Sequence, residues 1–367
     1  MNAAARDARH MARAIRLAAR GLNTTDPNPR VGCVIASVDE VLGEGYHQRA
    51  GGPHAEVLAL AAAGERARGA TAYVTLEPCS HHGRTPPCGD ALLAAGIARV
   101  VYAIGDPNPR INGNGVARLM EAGVEVTGGV LEASARALNP GFLSRMERGR
   151  PWVRVKLAAS LDGRTALAGG ESRWITGDAA RADVQRLRAR ASALMTGVGT
   201  VLQDDPRLNV RLPGATRQPL RVVLDPGLET SPEARILAPP GEALVMTASE
   251  DAVRAGRLAA AGARVETVAP GEGGLDLAAV LARLAELEVN ELHVECGATL
   301  AGALLRQGLV DEIVVYMAPT LLGEGARPLL GLGPLASMDE RPRLELLSVR
   351  RVGADLRLVL RPAAAGS

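Results

Sequence analysis

Apolar positions along the chain follow two periods, and stretches of the two alternate from end to end. Between Asp7 and Arg20, Met11, Ala14, Ile15 and Ala18 recur at helical spacing with arginines on the other side, and Gly21 follows as a stop. A surface helix is predicted there. Short β-prone runs follow at 31–35, 41–46, 72–76, 99–104 and 124–126, separated by helical patterns at 55–63, 90–95 and 116–122. Such alternation predicts an α/β sandwich, a mostly parallel sheet with helices on both faces.

The pattern restarts after residue 150. A strand over 151–158 alternates Val153, Val155 and Leu157 with Arg154 and Lys156, and Asp178 is placed to cap an amphipathic helix running to about residue 191. Strands are predicted at 193–196, 220–224 and 243–247, with helices at 250–261 and 276–287. A strand from Leu292 then runs into Gly297 and a further helix. Residues 147–151 form a charged join containing Gly149 and Pro151, which sets the expected domains at 1–149 and 150–367. At 367 residues the chain exceeds what one hydrophobic core usually holds, which agrees with two domains.

Composition narrows the partners. With 47% apolar and 22% charged residues the chain has an ordinary globular balance. A net charge of +2 and only 2% aromatic residues argue against nucleic acid, which calls for a basic stripe and stacking platforms. No uninterrupted apolar run of about 18 residues occurs, and the charged N-terminal stretch lacks the apolar segment of a signal peptide, so no membrane association and a cytoplasmic location are expected. Four cysteines are too few to staple this length, so reduced thiols are expected. Cys33 and Cys296 sit in apolar runs and read as small buried hydrophobes. Apolar edges on both halves are expected to support a homo-oligomer.

The remaining cysteines carry chemistry. His54-Ala55-Glu56 is followed by Thr75-Leu-Glu-Pro-Cys79 and by Cys88. One imidazole and two thiolates supply three zinc ligands and leave the fourth position for water, as a catalytic zinc site requires. Zinc lowers the pKa of bound water toward ~7, and Glu56, not itself a ligand, is placed to carry that water's proton to a departing amine. The H-x-E then P-C order is that of zinc deaminases, although eight residues separate these cysteines where the general pattern has two. His54 and Glu56 fall in the first turn of a helix. Cys79 is expected where a strand ends and the next helix starts, a setting that favours the thiolate. The spacer between the cysteines holds His81, His82 and Arg84, which suit an anion such as a phosphate ester. Asn28, held between two prolines, is either a plain turn residue or an amide presented to a heterocycle.

In the second half, Lys156 is the only lysine of the chain. A lone amine among arginines suggests a compact charge donor. Residues 160–165 and 169–176 are rich in small and polar side chains and include Trp174, so they suit a pocket lining. Gly197 and Gly199 give G-x-G without the third glycine of a Rossmann fingerprint, and there is no P-loop. The glycine turn at Gly297 leads into a helix whose first N–H groups either hold a phosphate or belong to a plain scaffold.

Taken together, His-Ala-Glu and the run from Thr75 to Cys88 resemble the deaminase half of the bifunctional riboflavin-biosynthesis deaminase/reductases, a branch of the cytidine-deaminase superfamily in which the long spacer between cysteines is usual. Lys156 to Arg164, Glu171 to Thr176, Gly197 to Pro206 and Val294 to Leu300 resemble its reductase half. The resemblance implies a cytidine-deaminase-like α/β/α sandwich followed by a dihydrofolate-reductase-like α/β domain, with Zn2+ in the first and NADPH in the second. It implies His54, Cys79 and Cys88 as zinc ligands, Glu56 as proton shuttle, and Asn28, His47, His81, Arg84 and Asn108 as contacts to a pyrimidine and its ribose phosphate. In the second domain it implies Ser172, Arg188, Leu208, Arg211 and Glu295 as substrate contacts. Ala158, Trp174, Thr200, Asp204 and the segment Gly297, Ala298, Thr299, Leu300, Ala301, Gly302 and Ala303 would line the NADPH side. Lys156, Asp204 and Glu295 would surround the reacting carbon, with Asp204 and Glu295 as acids and bases. The implied reactions are zinc-dependent deamination of a diaminopyrimidinone ribosylamine phosphate, then NADPH-dependent reduction of its ribosyl chain to ribityl. Two rivals share the zinc site: a nucleic-acid base deaminase, disfavoured by the charge, and a structural zinc, which normally takes four protein ligands.

Overall fold

Helix α1 (Ala3–Ala18) begins where the Asn2 side chain accepts the Ala5 N–H at 2.9 Å, and it buries Met11, Ala14 and Ala18. The computed structural model describes residues 2–80, 87–108 and 113–363, and the chain divides into two compact units, Met1–Gly149 and Arg150–Ser367. The first unit continues with β1 (Gly32–Ser37), β2 (Glu40–Tyr46), α2 (Ala55–Ala63), β3 (Thr71–Leu76), α3 (Cys88–Ala94), β4 (Arg99–Ile104), α4 (Asn114–Glu121), β5 (Glu125–Thr127), α5 (Glu132–Leu138) and α6 (Pro140–Arg148). Strand order is β2-β1-β3-β4-β5. Here the expectation of a mostly parallel sheet needs correction: β1 runs antiparallel to both neighbours, and only β3, β4 and β5 are parallel. The cause of the first pairing is local, because β1 and β2 are joined by Val38 and Asp39 alone, a link too short for a parallel crossover.

Alternation along β1 builds both layers of the sandwich. Val34 and Ala36 pack with Met11, Ala14, Ala135 and Leu143 on one face. Cys33 and Ile35 pack with Ala55, Ala59, Leu92 and Leu119 on the other. Helix α2 lies unusually close to the sheet because β2 offers glycine there: a Cβ on Gly43 would sit 2.3 Å from Ala59 O, and one on Gly45 2.3 Å from Ala55 O. That approach sets the depth at which the start of α2 enters the unit.

The second unit contains β6 (Trp152–Ser160), β7 (Arg164–Ala166), α7 (Asp178–Arg190), β8 (Ala193–Gly197), α8 (Val198–Asp204), β9 (Leu220–Leu224), β10 (Ala243–Thr247), α9 (Ala252–Ala260), β11 (Ala263–Thr267), β12 (Pro270–Gly271) and β13 (Gly274–Leu275). These lead to α10 (Leu277–Glu286), β14 (Glu291–Glu295), α11 (Ala298–Arg306), β15 (Glu312–Ala318), β16 (Arg327–Pro328), β17 (Leu344–Val352) and β18 (Asp355–Pro362). Nine strands form one sheet in the order β11-β10-β9-β8-β14-β6-β15-β18-β17. The first seven are parallel, and the C-terminal hairpin adds antiparallel strands at the edge. Helices α10 and α11 cover one face; α7 and α9 cover the other. Asp178 is not the cap predicted for α7. Gly177 occupies that position and donates its N–H to Asp355 Oδ2 at 2.8 Å, so a carboxylate from the hairpin takes the anionic place at the helix start. Among the described residues no helix is long and apolar enough to cross a membrane.

The close packing of α2 on β2 has a testable cost. Alanine is ordinarily better than glycine inside a strand, yet Gly45→Ala must push against the backbone of Ala55 and Ala59. We expect a loss of roughly 1–3 kcal/mol of stability in the first unit, the range for overpacking, read as a lower urea midpoint for that unit with the second unmoved.

Candidate active sites

In the first unit three elements converge on one buried point. His54 is the residue that caps α2, Cys88 opens α3, and Cys79 lies just past the end of β3. Cys79 was expected to start the next helix; that helix starts instead at Cys88, after Pro87 has fixed the entry. The donor atoms of His54, Cys79 and Cys88 all lie within 4.8 Å of one another. Cys79 Sγ is 2.9 Å from Cys88 Sγ and 3.5 Å from His54 Nδ1. The backbone reinforces the pair: Cys79 N–H donates to Cys88 Sγ at 3.0 Å, and Cys88 N–H donates to Cys79 Sγ at 3.2 Å. The Cys79 thiol is pulled down to about 4, chiefly by the hydrogen bond from the Cys88 thiol and then, against the cost of burial, by His54 and the Cys88 N–H. Cys88 moves the other way, because it holds the proton that the pair shares.

Glu56 lies one turn into the same site, 3% exposed, and burial pushes its carboxyl up, with His54 opposing. Its Oε2 finds no hydrogen-bond partner among the described residues. A buried, unsatisfied carboxylate oxygen beside two thiols and an imidazole is what zinc chemistry needs: three N/S ligands, and a base left out of the ligand set. The residues present therefore fit zinc.

Beside the ligands, His47 stands edge-on to His54 at 5.9 Å between ring centroids. Its Nδ1 faces Pro53 O at 3.1 Å, and a carbonyl only accepts, so Nδ1 carries the proton and Nε2 accepts from Asn28 Nδ2 at 3.1 Å. Burial lowers the His47 pKa and keeps the ring neutral in this role. Sequence reading passed over the role of Pro53, whose carbonyl orients His47 and through it Asn28. Asn108 sits on a loop where its N–H is accepted by Asp106 Oδ1 at 2.9 Å. His81 and Arg84 lie outside the described residues.

In the second unit a cavity of about 1430 Å³ opens at the C-terminal ends of β6, β8 and β14, the usual ligand position in an open parallel sheet. Lys156 and Ala158 reach it from β6, Thr200 and Asp204 from α8, and Glu295 from β14. Ser172, Trp174, Arg188, Leu208 and Arg211 complete one side, and Gly297, Ala298, Thr299, Leu300 and Ala303 the other. Two residues expected here do not line it: Ala301 is buried in the core, and Gly302 packs on Gly331 O, 2.3 Å from where a Cβ would stand. Their place in the segment is helix packing. Gly297 begins α11 without a side-chain cap, so the first N–H groups of that helix are open to a phosphate. The volume and this helix start fit a dinucleotide with a second ligand beside it.

Glu295 is gripped by the Arg188 fork, Oε1 by Nε at 2.5 Å and Oε2 by Nη2 at 2.9 Å. Burial alone would raise its carboxyl, but the Arg188 charge and hydrogen bonds, with His293 and Lys156, hold it well below the ordinary range. These partners favour its ionised form. Lys156, its register partner on β6, is shifted down by burial, with Glu295 opposing and Arg188 adding. Asp204 accepts Arg173 Nη2 on its backbone oxygen at 2.6 Å. Arg181 stacks on the exposed Trp174 ring at 4.4 Å. Arg211 is lowered by burial and by the charges of Arg188, Arg207 and Arg235, a crowding of cations that a bound anion relieves. Sequence reading passed over Arg207 and Arg235, and also Gln185, whose Oε1 accepts the Arg211 N–H at 2.8 Å.

Both halves of the chain match known families. Residues 4–104 match the cytidine and deoxycytidylate deaminase zinc-binding region, and residues 151–358 match the RibD C-terminal domain. The riboflavin biosynthesis protein RibD of Escherichia coli is 51% identical over 366 residues, covering 96% of this chain and 99% of that protein. That of Haemophilus influenzae is 44% identical, covering 96% of each. Among solved structures, Acinetobacter baumannii RibD superposes with a TM-score of 0.92 at 46% identity, covering 98% of this chain and 99% of that one. A Thermotoga maritima protein described as a diaminohydroxyphosphoribosylaminopyrimidine deaminase and 5-amino-6-(5-phosphoribosylamino)uracil reductase gives 0.86 at 34% identity, covering 99% of this chain and 100% of that one. The chain thus belongs to the RibD family of riboflavin biosynthesis, as a bifunctional enzyme in which a zinc-dependent deaminase precedes an NADPH-dependent reductase.

Proposed function

We propose that residues 1–149 remove the 2-amino group of a diaminopyrimidinone ribosylamine phosphate as ammonia, and that residues 150–367 then reduce the ribosyl chain of the product to a ribityl chain. The description of the Thermotoga maritima relative supports this substrate pair. The observation that carries the deaminase reading is the buried Glu56 carboxylate beside the three-donor group of His54, Cys79 and Cys88. Zinc held there acidifies a water toward ~7. Glu56, its pKa raised by burial, is suited to take a proton and deliver it to the leaving amine at neutral pH. His47 and Asn28 orient the pyrimidine through their fixed hydrogen-bond chain, with Asn108, His81 and Arg84 as further contacts.

In the reductase, bound NADPH would supply hydride for the ribose C1′ in its open imine form. The Gly297 end of α11, with Ala158, Trp174, Thr200 and Asp204, holds the cofactor, while Ser172, Leu208, Arg188 and Arg211 hold the substrate and its phosphate. Asp204 and Lys156 move the protons that open the sugar. Glu295 fixes Arg188 and the Lys156 charge in place and remains an acceptor for substrate hydroxyls. A pocket matched to the 2-oxo group of the deaminated compound leaves a polar group unpaired against the 2-amine, a penalty that can reach ~10⁴-fold. Deamination therefore comes first. Four free thiols support a cytoplasmic location, and a net charge of +2 supports a free nucleotide over nucleic acid as substrate.

Self-association is supported by the C-terminal hairpin. Leu344, Leu346, Val349 and Leu356 are 39–53% exposed on it, and β17 is the outer strand of the sheet. An edge strand pairing antiparallel with its own copy sets its acidic end, Glu345, opposite its basic end, Arg350 and Arg351, while the apolar side chains of the two copies meet.

Three measurements test these readings. Glu56→Gln should keep one zinc per chain and lose ammonia release from the free nucleotide by ~10²-fold or more, while Cys88→Ser should lose the metal itself; near wild-type deamination by zinc-loaded Glu56→Gln, or release from an oligonucleotide, would sink the assignment. With 4-deuterated NADPH, mass spectrometry and NMR should find label at the ribityl C1′. Label on the pyrimidine ring would refute the reductase chemistry, and fast reduction of the undeaminated compound would refute the order. In sedimentation, the double variant Leu346→Glu with Val349→Glu should run as a monomer where the wild type runs as an oligomer; an unchanged mass would exclude the hairpin.

A further inference from the structure

Glu77 sits two residues before Cys79, only 4% exposed, and it is not among the groups that touch the three-donor cluster. Among the described residues its carboxylate is met by main chain. Oε2 accepts the N–H of Asp106 at 3.2 Å and of Gly113 at 3.1 Å, and Oε1 accepts the N–H of Val116 at 3.3 Å. A helix cap would satisfy neighbouring amides at one helix start. Here one side chain also ties Asp106, two residues before Asn108, to the start of α4.

The surroundings leave this clamp no slack. A Cβ on Gly115 would lie 1.9 Å from Pro78 O and 3.3 Å from Glu77 Oε1, so the start of α4 rests directly on the main chain between Glu77 and Cys79. Farther along α4, Arg118 pairs with Asp90 of α3 at 2.7 Å, and α3 opens with Cys88. Asp106, itself anchored by Glu77, accepts the Asn108 N–H. A carboxylate this buried is costly unless its oxygens are satisfied, and three amides from one segment supply that compensation. Strand β3 thus delivers a zinc ligand and, two residues earlier, the anchor for a wall of the pyrimidine site.

We propose that Glu77 is a positioning residue of the deaminase: it ties Asp106 to the start of α4 so that Asn108, two residues beyond Asp106, meets the pyrimidine nucleotide. The proposal rests on the reading of Asn108 as a substrate contact. Glutamine is a revealing replacement, because it keeps the shape but turns one acceptor into a donor facing an N–H group.

The test uses the full-length, zinc-loaded protein. In Glu77→Gln, hydrogen exchange at the amides of Asp106, Gly113 and Val116 should rise about tenfold or more, the effect of losing a buried hydrogen bond to a charged acceptor. KM for the pyrimidine nucleotide should rise about tenfold with kcat within about threefold, the pattern of lost binding and not of lost chemistry. Zinc content and reductase activity should be unchanged. Glu77→Asp, which keeps the charge but shortens the reach, should fall between wild type and Glu77→Gln in both readouts. In an Asn108→Ala background the KM penalty of Glu77→Gln should largely vanish. Unchanged exchange at the three amides, or an unchanged KM, overturns the proposal. So does loss of zinc and of protection throughout the first unit in both Glu77 variants, which would make Glu77 a general structural residue, and so does full additivity with Asn108→Ala. If Asn108→Ala alone leaves KM unchanged while Glu77→Gln raises both exchange and KM, the clamp stands and the reading of Asn108 falls.

Discussion

Two sulfurs held 2.9 Å apart, each accepting the other residue's backbone N–H, form the constraint around which the deaminase unit is built. Cys79 and Cys88 are not brought together by a helix turn or a hairpin register. They meet because β3 ends where α3 begins, and that junction must be fixed from outside the loop between them. The sheet fixes one side of it, since β3 is paired on both edges, and α4 fixes the other through its contact with α3. His54 comes from a third direction, on a helix whose depth is set by the absence of side chains at Gly43 and Gly45. Glycine in β2, despite its entropic cost, thus sets where His54 joins the two thiols.

The reductase unit answers a different problem, that of burying charge. One row of side chains on β14 and β6 is ionic for most of its length. Arg154, 1% exposed, is held by Glu312 at 2.6 Å and Glu291 at 3.1 Å, and Arg190 adds a second cation to Glu291. His293 follows, then Glu295 with Arg188 and Lys156. Removing one member would leave an uncompensated buried charge, at a cost of about 3–5 kcal/mol. The row ends at the cavity, so the groups nearest the substrate are backed by fixed charges and not by mobile solvent. Such preorganisation is the condition under which a charged group stabilises a reacting one without itself rearranging.

Much of this was legible in the residues. Helix α2 and strands β4, β9 and β10 have the bounds that periodicity predicts, because each is a strictly patterned segment bounded by turn residues. The His54, Cys79 and Cys88 group was legible because ligand chemistry restricts residue type so strongly. What failed to show was pairing across distance. The antiparallel place of β1 beside β3 is a property of the sheet, not of either strand. The ionised state of Glu295 depends on Arg188, 107 residues away, and the burial of Arg154 on Glu291, 137 residues away. The C-terminal hairpin, which the sequence reading passed over, carries leucines on an exposed face. Asp178 misled because a good capping residue lay next to the position that the Asp355 carboxylate had already taken.

The two carboxylates nearest the chemistry show why one chain needs two units for these reactions. Glu56 and Glu295 are the same side chain, and both are largely withdrawn from water. Glu56 faces burial opposed chiefly by the His54 imidazole, with hydrogen bonds from the backbone and Cys88 adding, and its carboxyl rises; Glu295 faces the same burial against the Arg188 fork, His293 and Lys156, and its carboxyl falls. The first environment suits a group that must gain and lose a proton during each deamination. In the second, protonation would weaken the two Arg188 hydrogen bonds to Glu295 and leave that guanidinium its bond to Asn209 O. The two carboxylates thus owe their opposite shifts to the protein groups that each fold places beside them.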